Sequence, residues 1–538
     1  MKQIKRLAQV IALSIIPVAL LGVSLFKASE SMTKTIALGG TGTSEDPFII
    51  STSVELEEVM SNVDSGTDYA NKYLSITNDL SVSLVETTNG KTFRGHLDGG
   101  NHTITLSTSA TGTYVSMFNC VGSVASVSNI VFAGNLSGVG ARSSTVCSWN
   151  YGTIKNIINN CQLSSTNATG YLGGIAASQI DSAASIQNCV NNAVISGTKY
   201  VGGIVGNLRV GTISDTTNKG NVTASSTSVA GIAGLIGQAN NNEFDAVITN
   251  CINEGNISGA GQVAGIAGGI FPKLTCTSCS NYGDITTSGN SGVGGIAGFI
   301  NSNMSSTFSF TDCYSSGTVT TSAGWAGGLF GYVGSSSTGT INFTNVLSAS
   351  KVVDNSTTGN IGGFMAGQNS TAASFNLVKC QSMASISYSG SNAFSTGIAL
   401  SKTNIVTDED SSLAVNDKEH GVELSDTTIK LIRAIREFNC TYDSTMANIV
   451  SAGVDNLTPD EIDVLFLTAH YGANGYSDTY YGSALYINEY LSNNVSGLNR
   501  IFPGITFNNN AVLIAVIVCV SAILGSLSLL LLRKRKSI

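Results

Sequence analysis

Charge is scarce in this chain of 538 residues: Asp, Glu, Lys and Arg make up 11% of it, with a balance of -8. Disordered chains carry more charge and more proline, and only 5 prolines are present. No basic stripe stands outside the two termini, which argues against a nucleic-acid partner. Histidine numbers 4, none opens an H-E-x-x-H motif, and none falls between residues 103 and 400, so zinc-peptidase chemistry has no starting point. Over that stretch the acidic and basic side chains are dispersed, and the paired carboxylates of glycoside hydrolysis are missing. No catalytic residues, no metal and no cofactor are expected, and the chain is read as not an enzyme.

What is abundant is glycine, with 60 residues. The stretch GTKYVGGIVGNL (197 to 208) could suggest a phosphate-cradling loop, but Asn207, Leu208 and Arg209 stand where a Lys-Ser/Thr pair would be needed. Alignment on the glycine pair shows it to be one copy of many: LGGIA, VGGIVG, AGIAG (twice), GGIAG, GGLFG and GGFMAG. The second residues of the clear copies are Gly174, Gly203, Gly231, Gly265, Gly295, Gly328 and Gly363, spaced 28 to 35 residues apart. Such a period marks a repeat architecture.

A second segment recurs in each repeat, as in SIQNCVNNAVISG and VITNCINEGNISG. One column in it reads Ile130, Ile157, Cys189, Thr216, Cys251, Cys279, Cys313, Val346, Cys380, with apolar residues three before and six after. A short unit of this kind cannot bury its own apolar face, whereas stacked units can. The predicted fold is all-β, a parallel β-solenoid of about ten coils and roughly 45 Å of rod core at about 4.8 Å per coil. The paired glycines are expected at corners that need φ > 0 or close approach of neighbouring coils. The column Asn129, Asn156, Asn188, Asp215, Asn250, Ser278, Asp312, Asn345, Lys379 is expected to form a polar ladder at a turn, because Asn and Asp tolerate left-handed backbone.

With these motifs quoted, GGIVG, AGIAG and GGLFG, together with N-C-x-N-x-G-x-V, resemble the GLUG motif of bacterial surface proteins. FRGHLDGGNHTITL (93 to 106) is similar to the first coil of pectate-lyase-like β-helices, and GGTGTSEDPFIISTSVELEEV (39 to 59) resembles their leader. The resemblance covers roughly residues 39 to 400. It implies a strand and short helix as N-terminal cap and a cell-surface protein, often an adhesin or a region of a larger surface enzyme.

Chemistry within the rod is weighed column by column. Cys189, Cys251, Cys279, Cys313 and Cys380 alternate with Ile, Val and Thr and read as buried small hydrophobes. Stacking would still bring Cys251, Cys279 and Cys313 to about 4.8 Å, within the Cα range of a disulfide. Tyr171, Tyr200 and Trp325 precede the glycine pair and read either as covers for the corner or as a stacking face for sugar rings.

The chain is divided into an exported or anchoring N-terminus (1–30), a cap (31–92), the solenoid (93–405), an acidic helical membrane-proximal module (406–500), a linker (501–510), a transmembrane helix (511–532) and a basic cytoplasmic tail (533–538). The expected protein is a single-pass plasma-membrane protein with the bulk of the chain outside. Its expected function is adhesion or display, binding glycan or protein partners along the solenoid face. A carbohydrate-active β-helix enzyme and a non-binding structural stalk or envelope component are the alternatives.

Overall fold

The computed structural model describes residues 38–409 apart from 238–244, 272, 302–305, 336, 349, 357–358, 369–371, 379, 383, 388–393 and 396–404. Over these residues the chain winds into a parallel β-solenoid with a thirty-stranded, a ten-stranded and a nine-stranded sheet. The ten-stranded sheet takes one short strand from each coil, from Thr92–Phe93 to Met365–Gln368.

One coil shows the path. Ser185–Gln187, Val190–Asn191 and Ile195–Gly197 lie in the thirty-stranded sheet, Val201–Gly202 in the nine-stranded sheet and Val205–Leu208 in the ten-stranded sheet. The next coil pairs with it in parallel and in register, Ile186 with Ile213, Ile195 with Val222, Val201 with Val229 and Val205 with Ala233. Equivalent residues therefore sit on top of each other. Apolar positions become continuous inner columns such as Ile154, Ile186, Ile213, Ile248, Cys276, Phe310, Phe343 and Leu377, all fully buried. Burying one such Val, Ile, Leu or Phe side chain contributes about 1.5–3 kcal/mol. In the later coils phenylalanines fill the interior, with Phe330, Phe343 and Phe364 in mutual ring contact.

Between the first two strands of each coil one residue turns left-handed. Asn129, Asn156, Asn188, Asp215, Asn250, Ser278, Asp312 and Asn345 have φ between 51° and 58°. Short polar side chains tolerate this conformation best. Several also bond to the coil below: Asn129 Nδ2 donates to Asp98 Oδ1 at 2.9 Å, Asn156 to Asn129 at 2.8 Å and Asn250 to Asp215 at 3.1 Å.

The N-terminal end carries the strand Phe48–Ile50 and then helix α1 (Ser53–Ser65). A capping box starts the helix: Thr52 Oγ1 accepts from Glu55 N, and the Glu55 carboxylate accepts from Thr52 N. Gly66, at φ 111°, ends it. Leu56, Val59 and Val63 form its buried face and join the solenoid core.

The membrane expectations are corrected. Among the described residues no helix is long and apolar enough to cross a membrane, and α1 has only 13 residues. The stretches 1–30 and 511–532 lie outside the described residues. The transmembrane helix, the membrane as partner and the single-pass plasma-membrane location are therefore not retained. An apolar run of sufficient length meets a necessary condition for a span, and a buried core helix meets the same condition. At the far end of the described residues, Ile405–Glu409 is a strand paired in parallel with Ser374–Val378. The helices expected at 420–495 lie outside the described residues.

Candidate functional site

The polar feature that runs through the solenoid is inside it. Asn159, Asn191, Asn218, Asn253 and Asn281 have no exposed surface. The Nδ2 of each of the first four donates to the Oδ1 of the asparagine one coil further on, at 2.8, 2.7, 2.8 and 2.7 Å in turn. The chain continues from Asn281 to Ser315 Oγ at 3.3 Å and from Ser315 to Ser350 at 2.9 Å. The second amide hydrogen reaches a carbonyl two residues on in Asn191, Asn218, Asn253 and Asn281, at 2.8 to 3.0 Å. Buried amides normally cost free energy, and this arrangement offsets the cost by satisfying both donors.

The glycine pair faces this ladder. A Cβ at Gly203, Gly231 or Gly265 would overlap the Oδ1 of Asn218, Asn253 or Asn281, and at Gly174 it would lie 3.0 Å from Asn191 Oδ1. At Gly295 and Gly328 the same overlap is with Ser315 and Ser348 Oγ. Gly363 presents its carbonyl to Ser348 Oγ. None of these seven glycines is among the residues of positive φ. Of the two reasons expected for glycine here, close approach applies and left-handed backbone does not.

The thiols occupy a related niche. Cys189, Cys251, Cys279, Cys313 and Cys380 are fully buried, and the first four directly follow a left-handed residue. Each Sγ–H points to the carbonyl two residues back, at 3.2, 3.2, 3.3, 3.4 and 3.5 Å. Thr216 makes the same bond at 2.8 Å. At these six positions of the column a small side chain donates backwards, which unites Cys with Thr, while Ile130, Ile157 and Val346 fill it by packing alone. Burial pushes the Cys161 and Cys189 thiols up to about 12.

A raised thiol pKa means that the fold favours the protonated form. Stability is then complete below the unfolded value near 8.5 and declines as pH climbs from there towards 12. By pH 10 each such thiol should contribute about 2 kcal/mol less. Urea midpoints at pH 8 and pH 10 should fall for the wild type and fall less for Cys189→Thr. Equal losses in the two proteins would contradict this.

The aromatics before the glycine pair are already engaged. Tyr171 stacks on Tyr200 with ring centroids 5.2 Å apart, the Arg142 guanidinium lies over Tyr171 at 5.5 Å and Trp149 at 4.9 Å, and Lys199 covers Tyr200 at 4.9 Å. Trp325 tilts over Tyr332 at 4.6 Å. These contacts fit the reading of the three aromatics as covers for the corner. The membrane-anchored adhesin reading is not retained, because among the described residues no helix is long and apolar enough to cross a membrane.

A shallow surface groove of about 260 Å³ crosses the first coils, lined by Tyr73, His96, Asp98, Ser126, Ser128 and Lys155 among others. His96 Nδ1 lies 3.0 Å from Ser126 Oγ, and its ring stacks on Tyr73 at 4.6 Å. A serine and histidine in contact meet the first geometric condition for nucleophilic catalysis. The third member of such a relay is not formed by Asp98, which accepts from Gly100 N and Asn129 Nδ2 instead. His96 is not among the residues singled out from the sequence. The signal is coil-to-coil register, since Tyr73, His96 and Ser126 are partners on adjacent strands. Among the described residues no group of three His, Cys, Asp or Glu side chains is placed to hold a metal.

No family model matches the chain, and no curated protein matches it. Among solved structures it is similar to a putative immunoglobulin A1 protease from Bacteroides ovatus, at 16% identity over 70% of this chain and 86% of that one, with a TM-score of 0.33.

Proposed function

We propose that the chain is a structural scaffold: a stiff solenoid stalk or envelope component whose coils set a distance, without a catalytic role. The observation that carries this reading is the buried Asn ladder and its facing glycine column. Together they use both repeated motifs, GGI and N-C-x-N, for coil-to-coil contact. Nothing in the repeat signature is then left over for a ligand. In-register parallel stacking also resists bending, because each coil bonds to its neighbours on every sheet. The motif composition favours a GLUG-type solenoid within the β-helix superfamily.

A spacer has additive length. Duplicating residues 203 to 294, three repeats by the glycine column, should lengthen the full chain's rod by about 14 Å at about 4.8 Å per coil. Negative-stain electron microscopy of the original and lengthened proteins measures this. A rod of unchanged length, or a collapsed particle, would refute the scaffold reading.

A further inference from the structure

Four buried thiols on three successive coils form a cluster. Cys313 Sγ lies 3.8 Å from Cys276 Sγ, Cys279 follows Cys276 on the same coil, and Cys251 and Cys279 stack in register on neighbouring coils. Register explains the cluster: Thr249 pairs with Thr277 and Thr277 with Thr311, so Cys251, Cys279 and Cys313 stack on neighbouring rungs. Cys276 faces the same interior corner from the preceding strand, where Ile248 is its partner below and Phe310 its partner above. Cys189 and Cys380 stand in the same column, but next to Thr216 and Val346 respectively. In the order 251, 279, 276, 313, one arrangement pairs every thiol with its neighbour.

We propose that these four cysteines are a covalent modification site, closing as the disulfides Cys276–Cys313 and Cys251–Cys279 when the chain folds in the presence of a small-molecule disulfide. In each pair one thiolate attacks the oxidant, expelling a small thiol and leaving a mixed disulfide. The second cysteine then attacks the protein-side sulfur and expels the other small thiol. One protein S–S bond forms for each oxidant S–S bond cleaved, and the two cysteine protons end on the released thiols. Each bond staples one coil to the next, and the two together tie three coils in series. Because all four side chains are fully buried once the coils are stacked, the exchange occurs during assembly and the finished site resists both oxidant and reductant.

The test uses the full chain produced in an oxidising and in a reducing compartment. Free thiols are alkylated under denaturing conditions, and peptides are mapped without reduction by mass spectrometry. The oxidised sample should give the linked peptides 276/313 and 251/279, with Cys189 and Cys380 alkylated, and the reduced sample should give all of them alkylated. Complete alkylation of the oxidised sample, or a link between Cys276 and Cys279 or between Cys279 and Cys313, would overturn the proposal. In Cys313→Ser the 251/279 link should persist with Cys276 alkylated. Loss of both links while the protein retains its β-sheet circular dichroism would also overturn it.

Discussion

Gly231→Ala is expected to lower the urea midpoint of the protein sharply, at a cost of about 2–3 kcal/mol for overpacking a tight interior site. The added methyl would overlap Asn253 Oδ1 inside the solenoid and crowd the Gly265 carbonyl, which accepts the Gly231 N–H. The carbonyl is part of the coil-to-coil backbone ladder, so the easier adjustment is for Asn253 to leave its rung. Moving Asn253 breaks its bonds to Asn218 and Asn281. A single carbon therefore reaches three coils. A loss below about 0.5 kcal/mol, the size of an ordinary surface change, would mean that the glycine is not held by this contact.

Asn253→Ala should cost about as much by the opposite route. Truncation leaves Asn218 Nδ2, Asn281 Oδ1 and the Gly255 carbonyl without the partners they have now. Each buried polar group left unsatisfied costs about 1–3 kcal/mol, reduced where a water can enter the space, so a total of about 3 kcal/mol is expected. Urea unfolding of Asn253→Ala measures it. Asn253→Asp should not rescue, since a carboxylate cannot donate to Asn281 Oδ1 and the Gly255 carbonyl and would bring a charge into the core. Rescue by Asp would contradict the direction assigned to these bonds.

The solenoid was legible because in-register stacking writes one structural position as one sequence column. Ile186, Ile213 and Ile248 are apolar at a fixed offset because they share a wall of the core. Asn188, Asp215 and Asn250 are short and polar because they share a left-handed corner. The purpose of the glycines was only half legible. Their partner asparagines lie in another segment of the coil, across the interior, and a column read along the chain does not show what it faces. Asn191 and Asn253 stood in the N-C-x-N motif, but a buried amide and an exposed one look alike in sequence.

Chemistry at the surface was less legible still. Arg142, which lies over the Tyr171 ring, comes from the preceding coil, and sequence order does not place it there. His96 and Ser126 are brought to hydrogen-bond distance only by strand pairing across 30 residues. Hydropathy alone likewise drew a membrane span from an apolar run, while the helix that the described residues contain is the short cap α1.

The claim on which the scaffold account rests is that glycine and asparagine are two halves of one coil-to-coil contact. A double-mutant cycle of Gly231→Ala, Asn253→Ala and their combination measures it directly. Once Asn253 is truncated, the methyl at 231 no longer meets an oxygen and partly fills the space left behind. The double mutant should therefore be more stable than the sum of the single losses by about 1 kcal/mol or more, within the range seen for residues in contact. Additivity to within about 0.3–0.5 kcal/mol, the behaviour of independent sites, would contradict the account.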